Sequence, residues 1–502
     1  MIAPHSTAVS ASPPGARSPI EIDRGSAEPL YRQLRRALEH QIETGVRPRD
    51  LPLPSTRALA QELGLSRNTV SAAYDELLAL GLIEGRERSG FFINAALLKP
   101  ETPGPARTPA PADPPPEREA WRLHLRTSAT AQPPEISKIT DWADYPYPFV
   151  AGQIDAREFP RLSWARALRE ALEPPHLLYS VRDAVDADDP ELVRAIIRHI
   201  LPARGVRVSP ENVLVTTGSQ QGLDLLAHAL SGPGSTVGVE DPGYVDARHT
   251  FLRVGADLRP IPVDGEGLVV PDSTSGIDLL ILTPSHQSPT NVTLSRDRRV
   301  EVLERTRASG TVVIEDDYDS EFRYQGQPSP ALRAHDGAEH VIYLGSFTKF
   351  LAPGLRLGYL VADAELVREL RRIRRYRVRH VPGHSQRAMA LLIGSGQFQR
   401  TLTRRRSALG QKWELLRNAL KADLPWPIRF PPGGVSIWVS GPPGFDAVRV
   451  AERAKHRGLI IEPGHVFFAD PEAHRNHFRM GFAAIDLASI RPGVRVLGQL
   501  LT

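Results

Sequence analysis

A chain of 502 residues is too long for one ordinary hydrophobic core, which rarely grows beyond roughly 250–300 residues, so two or more domains are expected. Its 41% apolar and 24% charged residues are those of a globular protein, and no apolar run reaches the roughly 18 residues that a membrane-spanning helix requires. The absence of cysteine excludes disulfides, thiolate metal sites and cysteine nucleophiles and fits a cytoplasmic location, while a net charge of +4 is weak evidence for nucleic acid.

Residues 1–19, rich in Ser, Ala and Pro, hold no basic segment followed by an apolar core and are expected to be a disordered lead-in rather than a secretory signal. Residues 20–98 then read as three helices and a hairpin. Leu30, Leu34, Leu38 and Ile42 recur at helical spacing up to Gly45. Ser55 opens a second helix that stops at Gly64. After a tight turn Ser66 caps a third, with Val70, Tyr74, Leu77 and Leu78 as its buried stripe. Leu82 to Ile93 reads as two short strands around an arginine-bearing turn. Ten arginines against eleven carboxylates between Ile20 and Asn94 leave this block without a basic excess, so a DNA-binding reading has to rest on its motif.

That motif is a helix-turn-helix with a wing, and the run LPSTRALAQELGLSRNTVSAAYDELLALGLIEGRERSGFFI resembles the GntR-family winged helix along its whole length. The resemblance implies that the third helix enters the major groove of double-stranded operator DNA. Arg57 would start the supporting helix, Arg67, Asn68 and Thr69 would begin the recognition helix, and Arg86 and Arg88 would sit in the wing. Taken singly, each arginine would be a solvated surface charge; the order of cap, turn, helix and wing is what singles them out.

Residues 99–140 are expected to be a spacer, since proline recurs every two or three residues through KPETPGPARTPAPADPPPE and such a stretch buries no core. From residue 141 to 502 apolar runs at 212–217, 236–240, 279–283, 312–315 and 341–344 alternate with helical patterns. This predicts an α/β domain with a mostly parallel, doubly wound sheet, whose ligands sit beyond the carboxyl ends of the strands.

The polar motifs fall at those ends. Lys349 follows one strand, with Ser346 three residues before it and Arg356 seven after; Asp316, Asp317 and Tyr318 end another; Gly218-Ser219-Gln220 joins a strand to a helix whose first N–H groups can hold a phosphate; EDPGY supplies Tyr244. This set resembles fold-type I aminotransferases, and the resemblance implies pyridoxal 5'-phosphate as cofactor. Lys349 would carry it as a Schiff base. Ser346, Arg356, Ser219 and Gln220 would grip its phosphate, Asp316 would pair with the pyridine nitrogen, Tyr318 with the ring hydroxyl, and Tyr244 would stack on the ring. Arg479, in HFRMGFA, matches the arginine that clamps a ligand carboxylate.

TPSHQSPTN resembles the signature of MocR-type regulators, with Ser288 where an aromatic is usual and Asn291 in place of a glycine. Asparagine tolerates a left-handed backbone better than most residues, so that turn is expected to survive. The segment YSVRDAVDADDPEL replaces the usual Y-G-D-x-x-G, and the basic run at 368–379 reads either as a solvated helix face or as an auxiliary contact to DNA phosphate. Together the motifs resemble a MocR-type member of the GntR regulators. The expected function is a DNA-binding regulator, a head-to-tail homodimer, that senses a small amino compound or the cofactor itself and is not a working enzyme. The competing readings are an active aminotransferase with an accessory DNA-binding domain, and a nucleoid-type DNA-binding protein with a degenerate second domain.

Overall fold

The computed structural model describes residues 20, 22–26, 28–44, 46–47, 51–86, 90–94, 135–136, 138–349 and 351–501. The expected lead-in, most of the expected spacer, Gly45, Phe350 and the wing turn with Arg88 lie outside the described residues. The chain divides into two compact units, 1–125 and 126–502.

In the first unit three helices, α1 (Leu30–Glu43), α2 (Thr56–Leu63) and α3 (Arg67–Ala79), precede an antiparallel hairpin of β1 (Ile83–Arg86) and β2 (Gly90–Ile93). Both caps read from the sequence are present: Ser55 Oγ accepts from the Ala58 N–H at 3.2 Å and Ser66 Oγ from the Thr69 N–H at 3.0 Å. Each such cap contributes about 1 kcal/mol. The apolar stripes of the helices meet in one core containing Leu34, Leu38, Ile42, Leu59, Val70, Tyr74 and Leu77, with Leu78 at its edge. Tyr74 ties the parts together. Its ring packs edge-on against Phe91 of the hairpin, centroids 5.2 Å apart, and its hydroxyl donates to the Pro54 carbonyl at 2.8 Å.

The second unit is built on an eight-stranded sheet in the spatial order Val213–Thr216, Gly358–Val361, Val341–Ser346, Val312–Asp317, Leu279–Leu282, Thr236–Asp241, Asp257–Asp264, Gly267–Leu268. All five strands read from the sequence are in it. Gly358–Val361 pairs antiparallel with both its neighbours and Gly267–Leu268 pairs antiparallel at the far edge, while the strands between them run parallel. Helices cover both faces, so Val213–Thr216, Leu279–Leu282 and Val341–Ser346 are buried at every position. A smaller antiparallel sheet, Ser436–Ser440, His477–Gly481 and Glu462–Pro463 in that spatial order, stands beside the 27-residue helix Gln397–Asp423 and the last helix, Leu487–Leu501.

Two features differ from the sequence reading. Ile139, inside the expected spacer, packs with Trp142 and Tyr145 against Val150, Ile460 and Ala484. The large unit therefore gathers in chain before residue 141, because the apolar Ile136 and Ile139 interrupt an otherwise polar stretch. The basic run forms the helix Ala364–Val378, and most of its guanidinium groups are engaged by acids: Arg374 and Arg371 reach Asp188 at 2.6 and 3.0 Å, Arg375 reaches Asp186, Arg377 reaches Asp224 and Arg379 pairs with Asp183. Arg374 and Asp188 are almost fully buried. The segment that replaces Y-G-D-x-x-G is thus an acidic loop mated to a basic helix.

Candidate functional sites

On the first unit Arg57, Arg67 and Asn68 are exposed at the starts of α2 and α3, where the helix N-terminus also favours phosphate. Thr69 is half-buried and its hydroxyl lies 2.8 Å from Ser66 Oγ, which places it in the cap. Arg86, on β1, is exposed but already donates twice to Glu84, at 2.9 and 2.8 Å, and its guanidinium lies over the Phe92 ring at 4.4 Å.

On the second unit the carboxyl ends of five strands converge. Ser219, Tyr244, Ser288, Asp316, Tyr318, Lys349 and Arg479 line one chamber of about 110 Å³, drawn from positions up to 260 residues apart. Gln220 and Arg356 line an adjoining polar cleft of about 770 Å³, which shares Asp246 with the chamber. Ser346, at the end of its strand, is buried and accepts from the Thr348 N–H at 3.1 Å.

Lys349 is only half-exposed, and its Nζ lies 5.8 Å from the Tyr318 ring centroid. A Cβ on Gly152 would approach that nitrogen to 3.5 Å, so the loop after Val150 also touches it. Burial, reinforced by Arg479, pushes the amine below its ordinary value. A larger uncharged fraction makes it a better nucleophile.

Asp316 is 3% exposed and its Oδ1 has no hydrogen-bond partner among the described residues. Burial and the neighbouring Asp317 push its carboxyl up to about 7. Asp317 behaves in the opposite way. Burial raises it, but Arg204 at 2.7 Å, with hydrogen bonds that include one from the Tyr343 hydroxyl, holds it below the usual range, and it therefore stands as a fixed charge behind Asp316.

Gly218 precedes the helix Ser219–Leu230 with φ +95°, and an added Cβ would lie 3.0 Å from Arg356 Nη2 and 3.5 Å from Thr348 Oγ1. Only glycine suits both the backbone and the approach. Arg356 itself donates to the Thr217 carbonyl at 3.0 Å, and the Thr348 hydroxyl is buried without a partner among the described residues. Gln220 has its side chain engaged: the amide donates to Thr250 at 2.8 Å and accepts from the Tyr244 hydroxyl at 3.2 Å. The Tyr318 hydroxyl donates to the His286 carbonyl at 3.0 Å.

Asn291 has φ +59°, the left-handed conformation expected of it, and its side chain donates to the Ser436 carbonyl and hydroxyl at 2.7 and 2.9 Å. Thr348 and Glu462 escaped the sequence reading. Glu462 Oε2 accepts from Arg479 Nε at 2.8 Å. The threonine sits next to the lysine and could have been found from that position; the glutamate could not, because nothing local in IIEPGH marks a partner.

A winged helix joined to an aminotransferase-like domain defines a class of transcription regulators, and comparison with known proteins agrees. Residues 30–93 match the bacterial regulatory proteins of the gntR family, and residues 157–497 match aminotransferase class I and II. The chain is 36% identical over 481 residues to the HTH-type transcriptional regulator TauR of Rhodobacter capsulatus, covering 95% of this chain and 97% of that one. It is 31% identical to the "Probable rhizopine catabolism regulatory protein MocR" of Rhizobium meliloti, covering 95% of each. Among solved structures it is similar to LysN, an α-aminoadipate aminotransferase of Thermus thermophilus complexed with N-(5'-phosphopyridoxyl)-L-leucine, with TM-score 0.64 and 30% identity over 70% of this chain and 91% of that one. The chain belongs to the MocR-type GntR regulators.

Proposed function

We propose that this regulator binds pyridoxal 5'-phosphate in its large domain, receives a small amino compound there, and changes its hold on operator DNA in response. The observation that carries the reading is a pair of buried groups without partners among the described residues, Asp316 Oδ1 near the end of its strand and Thr348 Oγ1 in the loop that presents Lys349. Buried polar atoms are seldom left unsatisfied, so both positions suit a bound group. The residues fit this cofactor. Lys349 would hold its aldehyde, and Asp316, ionised, would keep a proton on the ring nitrogen. Tyr244 and Tyr318 would border the ring. Thr348, Ser346, Arg356 and the N–H groups of Ser219 and Gln220 would hold the phosphate. When bound, the cofactor supplies an aldehyde that captures a primary amine and an electron-withdrawing ring. Arg479, which lines the same chamber as Lys349, would take the acid end of a ligand whose amine reaches the lysine.

The domain plan assigns operator reading to residues 20–98, a spacer to the proline-rich stretch from 99, and ligand sensing to the remainder. Arg57, Arg67 and Asn68 are the open base- or phosphate-reading candidates, Arg88, outside the described residues, would act from the wing, and Thr69 and Arg86 would assist through the cap and through Phe92. Leu162, Leu177, Leu178 and Val181 on the consecutive helices Arg161–Glu170 and Pro174–Val181, with Leu172 in the turn between them, are exposed apolar residues that support a homodimer. A cytoplasmic location follows from the DNA partner, and no helix among the described residues is long and apolar enough to cross a membrane.

The alternative, a working aminotransferase, keeps the same lysine. It is disfavoured because the relatives are named regulators and the usual Y-G-D-x-x-G segment is given over to ion pairs with the basic helix. The two are separated by titrating the cofactor-loaded protein with amines while recording its absorbance, then adding 2-oxoglutarate. A saturating spectral change without sustained keto-acid production supports the regulator. Continuous turnover supports the enzyme, and no cofactor absorbance at all would overturn both.

A further inference from the structure

We propose that Glu462 is a specificity-determining residue of the ligand chamber, one that aims Arg479 at the ligand and restricts the acid received there to a single negative charge. This rests on the amine-receptor reading above. Glu462 and Arg479 stand directly opposite each other in register on neighbouring antiparallel strands, so their side chains share one face. Glu462 Oε2 accepts from Arg479 Nε at 2.8 Å, and the side chains are only 17% and 13% exposed, so solvent screens the pair incompletely. The other oxygen, Oε1, accepts from the Ala151 N–H at 3.1 Å. The Phe467 ring lies under the guanidinium carbon at 4.7 Å.

Three sides of Arg479 are therefore occupied or constrained: its Nε by Glu462, its flat face by Phe467, and its backbone by the strand. The two terminal nitrogens have no hydrogen-bond partner among the described residues, and Arg479 and Glu462 both line the chamber. The arginine is held by one edge with its fork open. A flexible arginine would have to lose rotamer freedom on binding, whereas this one is already aimed.

The same contact changes the charge of the site. An unpaired arginine would attract a dianion more strongly than a monoanion. With a carboxylate fixed on its Nε, the guanidinium is already neutralised, and an incoming acid meets a fork of aligned donors backed by a negative charge. Burial and Arg479 push the Lys349 amine below its ordinary value, which reduces the positive charge it can offer in compensation. Lys138 lines the chamber from an exposed position, where solvent and salt weaken it. Asp316 and Asp246 add further acids. At the effective dielectric of such a partly buried site, a second charge on the ligand costs about tenfold in affinity.

Glutamine cannot take over this role. Both oxygens of Glu462 accept, one from Arg479 and one from Ala151, and an amide has a single acceptor oxygen for two donors.

The test uses the full-length protein loaded with pyridoxal phosphate at pH 8, read by cofactor absorbance, with three amines of one chain length: β-alanine, 2-aminoethylphosphonate and propylamine. The parent is expected to favour β-alanine over the phosphonate by about tenfold or more. In Glu462→Gln that preference should shrink at least about fivefold, while the acid-free propylamine changes by less than about twofold and so reports an intact chamber. Glu462→Asp keeps the charge with a shorter reach and should keep the preference while binding β-alanine more weakly; it also serves if the glutamine variant does not fold. An unchanged preference in Glu462→Gln, or a lost one in Glu462→Asp, overturns the assignment. If none of the three amines alters the parent's spectrum, the amine-receptor reading itself fails and this assignment falls with it.

Discussion

Replacing Asp316 with asparagine should weaken pyridoxal phosphate binding by roughly 10- to 150-fold. The carboxylate ends the central strand Val312–Asp317, 3% exposed, with Oδ1 unpartnered among the described residues. A hydrogen bond to a charged group is worth about 1.5–3 kcal/mol, and 1.4 kcal/mol is a factor of ten. The pH dependence sharpens the test. Burial and Asp317 push the ligand-free carboxyl up to about 7, above its unfolded value, so the folded state binds more protons than the unfolded one. Its contribution to stability is therefore fully present below the unfolded value near 4 and is lost as pH rises towards 7. A cationic ring nitrogen opposite Asp316 reverses this, because it favours the ionised form. Cofactor affinity should rise between about pH 5.5 and 7.5 in the parent, with a smaller rise in Asp316→Asn, which removes this carboxyl from the titration. Absorbance titrations at several pH values, with thermal melts to confirm folding, measure both quantities. An asparagine variant with the parent's affinity and the parent's slope would refute the role given to this carboxylate.

Lys349→Ala should abolish the borohydride-reducible cofactor adduct seen by mass spectrometry, and an adduct on another lysine would displace the assignment. Arg67→Ala should cost about 1–3 kcal/mol of specific operator affinity for one bidentate base contact, measured by fluorescence anisotropy, with the cofactor spectrum unchanged. Arg374→Ala leaves the buried Asp188 with only Arg371 and the Val215 N–H as partners and should destabilise the large domain by about 1.5–3 kcal/mol in urea unfolding, whereas the exposed Arg372→Ala should shift it by less than about 0.5 kcal/mol. If Arg372→Ala or Arg377→Ala flattened the salt dependence of operator binding, the basic helix would be a DNA contact after all.

The parts legible in the sequence were those whose physics is local. Ser55 and Ser66 cap the helices that their neighbours predict, and the apolar runs around Leu214, Ile281 and Leu344 are strands because a parallel sheet buried on both faces needs unbroken apolar runs. Asn291 adopts the left-handed backbone foreseen for it. Interactions set by tertiary register were not legible. Arg374 and Asp188 are 186 residues apart, and only the topology turns a basic run and an acidic loop into one buried pair. Glu462 meets Arg479 because a short strand edge is aligned opposite it, a fact carried by no local pattern. The strand Gly358–Val361 was missed for a related reason: its four residues follow closely on the lysine loop, and its antiparallel direction comes from the sheet it enters.

The central claim is that occupancy of the Lys349–Arg479 chamber governs the grip of the winged helix on DNA. Moving a two-state protein from mostly one form to mostly the other requires about 5.5 kcal/mol of differential binding, more than the roughly 1.5–3 kcal/mol one charged hydrogen bond supplies. The amine at Lys349 and the acid at Arg479 must therefore act together. The direct test is a titration of operator binding by the cofactor-loaded protein with α- and ω-amino acids, in the parent and in Arg479→Ala. The account predicts that at least one amino acid shifts the parent's operator affinity severalfold or more and that the variant, with cofactor and operator binding intact, responds far more weakly. An equal response in both proteins would contradict it.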